Sequence, residues 1–90
     1  MNFYSLYDSF DTFFKTFLRG NEVEFMYNNR HFAVLPIFTN DKKVVGVRIG
    51  ESGCEKEQLC FSQEELFNFP IDGKPFGTLV EHIKIVWNNF

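Results

Sequence analysis

The residues best suited to metal binding or nucleophilic chemistry are two histidines, His31 and His82, and two cysteines, Cys54 and Cys60. A zinc site uses closely spaced pairs of such residues, for example Cys-x2-Cys with His-x3-His. Here neither histidine is near a cysteine in the sequence, and the two cysteines are not closely paired. The spacing therefore predicts no metal site and no cofactor, with Cys60 packed as a small apolar side chain and Cys54 in a loop.

A cysteine–histidine nucleophilic pair stays open on sequence alone, because its members meet only in the folded chain. A pocket that joins His31 or His82 to Cys60 would indicate a small enzyme with no recognisable motif. Against this, His31 lies beside a hairpin turn, where we expect it to face solvent, and His82 lies at the margin of a predicted apolar stripe. The sequence favours a protein that is not an enzyme.

Two pairs of carboxylates are the other candidates for acid–base chemistry. Glu22 and Glu24 project from one face of a predicted strand, and Glu64 and Glu65 begin a predicted helix, where acids favour the helix dipole. Neither pair has the apolar surroundings that would tune a general acid. The sequence also contains no Gly-x-Gly-x-x-Gly, P-loop or Gly-x-Ser-x-Gly motif.

Tyr27, Arg30 and Phe32 could form a surface for a small ligand or a single-stranded nucleic acid, since bases stack on exposed aromatic side chains beside cations. The other interpretation is a set of cross-strand neighbours under the first helix, which the strand register favours. The formal charge of −3 lacks the basic excess that is typical of dedicated nucleic-acid binders. A small-ligand or single-stranded nucleic-acid binder is therefore the alternative function, and nucleic acid is not the expected partner.

An amphipathic helix is predicted from Ser5 to Arg19, and it would cover Tyr27, Arg30 and Phe32. Ser5 is the predicted N-cap, and Gly20 suits the left-handed position that ends a helix. At about 100° per residue the apolar side chains share one side, and so wide an aromatic face must lie against a sheet. The members of that face are Phe3, Leu6, Tyr7, Phe10, Phe13, Phe14, Phe17 and Leu18.

The clearest strand signal is a hairpin from Glu22 to Phe38, with Asn28-Asn29 as a two-residue type I′ turn, because asparagine tolerates positive φ. The turn sets the cross-strand pairs on the face that the helix covers, which are Tyr27 with Arg30, Phe25 with Phe32 and Val23 with Val34. The opposite face is mixed and carries Glu22, Glu24, Met26, His31, Ala33 and Leu35.

The second half of the chain predicts shorter elements. Strands are expected over Val44–Ile49, with Val45, Val47 and Ile49 on one face, and over Glu57–Phe61. Ser62-Gln-Glu-Glu65 is a capping box that begins a short helix ended by Pro70.

After a turn at Asp72-Gly73, Pro75 suits the first position of a second short helix. Its buried stripe would be Phe76, Leu79, Val80 and Ile83, and the alternating tail Ile83–Trp87 could add a final strand. The predicted fold class is α+β, a mainly antiparallel sheet of four or five strands. The N-terminal amphipathic helix lies on one face, and two short helices lie near the C-terminus.

Ninety residues are enough for a single domain, 1–90, with a thin core. Thirteen Phe, three Tyr and one Trp fill such a core and leave a surplus of aromatic side chains. The first ten residues lack the features of a signal peptide, and no run of about 18 apolar residues could cross a membrane. We therefore expect reduced thiols in a cytoplasmic protein that does not engage a membrane.

The aromatic surplus and the lack of recognisable chemistry predict a non-enzymatic protein-binding module. The partner would be another protein or a second copy of this chain, as in a homodimer, and the module would act as a small regulator or inhibitor. The candidate contact residues are the apolar and neighbouring groups least secured by the predicted core, namely Tyr4, Tyr7, Met26, His31, Trp87 and Phe90.

The closing run Phe61-Ser-Gln-Glu-Glu-Leu-Phe-Asn-Phe-Pro-Ile-Asp-Gly-Lys-Pro-Phe-Gly-Thr-Leu79 resembles the second half of small α+β proteins common in Gram-positive bacteria and their phages. The front half agrees in order, with an aromatic helix followed by the Gly20-Asn-Glu-Val-Glu-Phe-Met-Tyr27 hairpin. The shared motifs are caps and turns, and no activity is assigned to such proteins. The resemblance implies an intracellular setting linked to mobile elements, and it transfers no functional residue.

Overall fold

The computed structural model describes residues 1–89, in which two helices and seven strands follow one another along the chain. They are α1 (Phe10–Leu18), β1 (Val23–Tyr27), β2 (Arg30–Phe38), β3 (Val44–Glu51), β4 (Glu57–Cys60), α2 (Gln63–Phe67), β5 (Pro70–Ile71), β6 (Lys74–Pro75) and β7 (Lys84–Asn88). Short 3-10 turns cover Phe3–Ser5, Phe76–Thr78 and Val80–His82.

Five of the strands form one antiparallel sheet in the order β4-β3-β2-β1-β7, and β5 and β6 form a separate small hairpin. Helix α1 packs on β2 and β3. The prediction of an α+β fold with a largely antiparallel sheet and an N-terminal helix on one face is confirmed. Within residues 1–89, no helix has both the length and the apolar character needed to cross a bilayer.

Helix α1 begins at Phe10, so the prediction of a helix from Ser5 is wrong at its start. Ser9 is the N-cap: its backbone is extended, and its side chain accepts a hydrogen bond from the Thr12 N–H at 3.2 Å. Ser5 instead closes a 3-10 turn by donating its N–H to the Asn2 side chain at 3.0 Å. A second capping residue inside the amphipathic stretch therefore divides it in two.

The end of α1 follows the sequence prediction. Gly20 has φ +87°, and its N–H donates to the Phe17 carbonyl at 2.9 Å. The Asn21 N–H donates to the Thr16 carbonyl at 3.2 Å. These two bonds are the Schellman arrangement, which satisfies carbonyl groups that the last turn of a helix leaves unpaired.

The β1–β2 hairpin has the predicted turn and register. Asn28 and Asn29 have φ values of 50° and 61°, as a type I′ turn requires. Tyr27 pairs with Arg30, and the register continues through Phe25 with Phe32 and Val23 with Val34. Burial alternates along both strands, so one face enters the core and the other meets solvent.

Strand β3 departs from the predicted alternation at Val45. The β2–β3 register shifts between Ile37 and Phe38, because Ile37 pairs with Gly46 while Phe38 pairs with Val44. Val45 is the extra residue of this β-bulge, and its side chain is exposed, whereas Val47 and Ile49 are buried as predicted.

Ser62 caps α2 as predicted, accepting the Glu65 N–H at 3.1 Å. The second short helix does not form: i to i+3 bonds from Leu79 to Phe76 and from His82 to Leu79 make two 3-10 turns instead. The predicted stripe is nevertheless buried, so the apolar positions were right and the helix type was wrong. It consists of Phe76, Leu79, Val80 and Ile83.

The core lies between α1, the C-terminal turns and one face of the sheet. The Phe25 ring is stacked between Phe32 and Phe76, with both centroid separations 5.1 Å. Phe13 sits above this stack and meets Phe17 edge to face, at 4.9 Å between ring centroids. All of these rings are buried, so the predicted apolar face of the helix is covered within one chain at Phe13 and Phe17. Phe10 and Phe14 are only partly buried, and Leu18, at the end of the face, is exposed.

Candidate partner-binding surface

The side of the main sheet that faces away from α1 carries the outward side chains of all five strands, and we call it the open face. Strand pairing places Trp87, Glu24, Ala33, Gly50 and Glu57 in one row across all five strands. The other members, taken from alternate positions of the same strands, are Met26, His31, Leu35, Ile37, Arg48, Leu59 and Lys84.

His31 is held in place on the open face through both ring nitrogens. Its Nε2 lies 2.7 Å from Glu24 Oε1 on β1, and its Nδ1 lies 2.8 Å from Ser52 Oγ in the loop after β3. The imidazole therefore ties the centre of the sheet to that loop. Met26, its cross-strand neighbour, is half-buried and continues the surface toward Lys84 on β7.

Arg48 stands between two glycines of β3 on the open face. Its Nη1 lies 3.5 Å from Glu57 Oε1, while its Nε is buried with no hydrogen-bond partner among the described residues. A Cβ at Gly46 would lie 2.5 Å from the Cys60 carbonyl oxygen, so glycine is what allows β4 and the Phe61 ring to approach closely. Arg48 thus presents a guanidinium with spare donor capacity.

Apolar side chains surround this guanidinium. Leu35 on β2 and Leu59 on β4 are its direct neighbours across the sheet, and Leu59 keeps 48% of its surface exposed. Phe61, just after β4, is 55% exposed, and its ring lies beside Gly46. Arginine set among apolar groups is characteristic of the centre of a protein–protein interface.

The structure brings three of the predicted contact residues to the open face, namely Met26, His31 and Trp87. Tyr4 is exposed elsewhere, with its ring edge to face against Phe3 at 5.1 Å. Phe90 lies outside the described residues.

Tyr7 does not lie at the surface. It is 2% exposed, packs against Phe3 and Phe13, and burial raises the pKa of its hydroxyl to about 12. This corrects its placement among the contact residues: it follows the first 3-10 turn and so enters the core from a different direction than a continuous helix would allow.

The predicted contact residues did not include Arg48, Leu59 or Phe61, which lie on or beside the open face. The available signal was the alternation of Glu57, Leu59 and Phe61, which places three side chains on one face of β4 and its extension. The isolated glycines Gly46 and Gly50 on either side of Arg48 were a second signal. Neither could be assigned to a face before the β3–β4 register was known.

The cysteines and histidines are not brought together. Cys60 is buried on the face under the helices, whereas His31 is on the open face, and His82 pairs with Glu81 at 3.4 Å. Burial, followed by the charge of Glu65, raises the pKa of the Cys60 thiol to about 11, which disfavours the reactive thiolate. Among residues 1–89, no group of three or more His, Cys, Asp or Glu side chains is placed to hold a metal ion.

Arg30 is engaged by two carboxylates. Its Nε and Nη2 donate to the two oxygens of Glu51 at 3.1 and 2.9 Å, and Nη1 donates to Asp72. The guanidinium also lies over the Phe32 ring, 5.3 Å from its centroid. Because these donors are already used and Phe32 is buried, the Tyr27–Arg30 region offers no free cation beside an exposed ring.

A cavity of about 500 Å³ opens beside this ion pair, between the loop after β3 and the segment before β5. Phe69 and Pro70 supply apolar lining, and Glu51, Glu55 and Lys56 form a charged rim. Its size suits a small molecule, but the charged groups of both signs do not converge on one ligand chemistry.

A scan against protein-family models and searches of curated proteins and of solved structures returned no match to this chain.

Proposed function

We propose that this chain is a non-enzymatic protein-binding module that receives a protein partner on its open face. The observation that supports this most directly is the contrast between the two faces of the sheet. One face is packed against phenylalanine side chains, while the other exposes Trp87, Leu59 and an incompletely bonded Arg48. Tryptophan and arginine are enriched among residues that dominate binding energy at protein interfaces.

The chemistry of the partner follows from the charges on this face. The Arg48 side chain is 42% exposed and forms one ion pair, with Glu57, so a carboxylate of the partner would pair with the exposed part of its guanidinium. The apolar groups around it would be covered by an apolar rim on the partner. In biological terms we propose a small cytoplasmic regulator or inhibitor that acts on a protein of a bacterium or its phage.

Affinity capture with matched variants tests the open face. We expect Trp87→Ala and Arg48→Glu to lose the proteins that wild type captures from the encoding cells, because each removes a proposed contact residue of the open face. Phe38→Ala is the control, since Phe38 is 55% exposed at the end of β2 and lies outside the open face. Equal capture by all three variants would contradict the proposal.

Trp87 is the one tryptophan of the chain and reports binding directly. With a purified partner, we expect its fluorescence to shift to shorter wavelength on titration, because the indole passes from water into an interface. Labelled single-stranded nucleic acid tests the alternative function. If it binds with a steep salt dependence and leaves the Trp87 emission unchanged, the chain binds nucleic acid at another surface.

A further inference from the structure

The main sheet has two edge strands, β7 and β4, and only β7 is covered along its outer side. The outer edge of β7 is covered: the Ile85 N–H donates to the Met1 carbonyl at 2.6 Å, and Asn2 forms an antiparallel bridge with Lys84. At the opposite end, β4 pairs with β3 alone within residues 1–89. The outer backbone groups of Glu57–Cys60 thus remain available for pairing with another strand.

Strand β4 also lacks most of the features that protect an edge from pairing. It contains no proline, and its ladder with β3 is regular over four pairs, whereas the β2–β3 and β1–β7 ladders contain bulges. Its one charged residue, Glu57, is partnered by Arg48 of the same chain. Shortness is the single protective feature that β4 retains, and it limits pairing to a short ladder.

We propose that β4 pairs antiparallel with β4 of a second copy of this chain, about a two-fold axis that passes through Leu59. The result is a continuous ten-stranded sheet. This interface lies at the edge of the sheet and goes beyond the proposed function, because it leaves both open faces exposed on the same side of the assembly.

The positions of the β4 side chains favour a second copy of the chain as the partner, and they favour this register. Rotation about an axis perpendicular to the sheet keeps each face on its own side, so residues of the same face must be opposite one another. With the axis at Leu59, the leucine meets its own copy and Phe61 lies across from Glu57, whose charge Arg48 already balances. A register centred on Gln58 would instead place Leu59 across from that carboxylate.

Disulfide trapping tests both the pairing and its register. In a Cys54→Ser, Cys60→Ala background, which removes both native thiols, including the one that this register places opposite residue 58 of the second copy, we expect Leu59→Cys to form a covalent dimer under mild oxidation. Opposite residues of an antiparallel pair have Cα atoms about 4.5–5.5 Å apart, within the range that a disulfide spans. Glu57→Cys is the matched control, because its two copies would be about 13 Å apart along the strands.

Cross-linking of Gln58→Cys in place of Leu59→Cys would overturn the register, and equal cross-linking of all three variants would overturn the specific interface. Analytical ultracentrifugation of the unmodified chain over a wide concentration range supplies the independent measurement. We expect a monomer–dimer equilibrium that Leu59→Lys weakens at least tenfold, since two ammonium groups would then meet on the axis.

Val86→Lys is the control for the ultracentrifugation, because Val86 is an equally exposed apolar residue on β7. It should leave the equilibrium unchanged. A strict monomer at every concentration would overturn the proposal. None of these measurements uses a protein partner, so they fail or succeed independently of the open-face proposal.

Discussion

At the scale of single residues, Arg30 is the most highly connected charged side chain. It bonds to both oxygens of Glu51 and to Asp72, and so ties the β1–β2 hairpin to the end of β3 and to the β5–β6 turn. The Arg30 hydrogen bonds hold the pKa of the Glu51 carboxyl below its ordinary value of 4.5. A carboxyl with a lowered folded-state pKa stabilises the fold above its unfolded pKa, and this contribution is lost as the pH falls through the folded value.

We therefore expect the free energy of unfolding of wild type to exceed that of Glu51→Gln at neutral pH, with the difference shrinking as the pH is lowered below the ordinary carboxyl pKa of 4.5. Urea unfolding followed by circular dichroism at a series of pH values measures this difference. Glu55→Gln, in the loop that follows β3, is the control, since it removes a carboxylate for which no ion pair occurs among the described residues. A difference that stays constant as the pH is lowered would rule out the linkage.

At the scale of elements, the structure shows which local signals determined the secondary structure. Asn28-Asn29 and Gly20 act through their own backbone conformations, so the hairpin register and the end of α1 could be predicted from the sequence. The start of α1 could not, because Ser5 and Ser9 are both good caps and only tertiary packing selects Ser9. The bulge at Val45 also depends on the pairing of two strands and leaves no local mark.

Only part of the candidate site could be predicted from local signals in the sequence. Met26 and His31 could be placed together because they share one face of a predicted hairpin. Arg48 and Leu59 could not, because their contact depends on a β3–β4 register that no turn signal specifies. Tyr7 was placed wrongly because its burial depends on the break in the N-terminal helix.

The position of the helix start has a measurable consequence. Ser9→Ala should lower the free energy of unfolding by about 1 kcal/mol, because it removes the acceptor for the Thr12 N–H. Ser5→Ala should have a much smaller effect, since the Ser5 hydroxyl contacts only the exposed Asn2 side chain. Chemical denaturation of both variants distinguishes a helix start at Ser9 from one at Ser5. A larger loss of unfolding free energy for Ser5→Ala would place the N-cap at residue 5.

At the scale of the whole molecule, the core lies on one side of the sheet, so phenylalanine side chains differ widely in how deeply they are buried. Phe13 is fully buried among five other aromatic rings, while Phe38 is mostly exposed beside Gly20. Phe13→Ala should lower the free energy of unfolding by about 3–5 kcal/mol, a large part of the stability of so small a domain.

Phe38→Ala should change the free energy of unfolding by less than about 0.5 kcal/mol, because little apolar surface is lost from the core. Thermal and urea unfolding of the two variants measure this contrast. Similar losses for both would mean that the exposed phenylalanine is covered in solution, which would point to an additional interface at the end of β2.

The strand order also governs how the chain can fold as it leaves the ribosome. Strand β1 lies between β2, which is its neighbour in sequence, and β7, which is made some sixty residues later. During synthesis the hairpin forms early, yet one side of β1 has no partner until Lys84–Asn88 emerges. We expect a nascent chain stalled before that point to expose the outer backbone groups of β1 and therefore to be prone to aggregate through that edge.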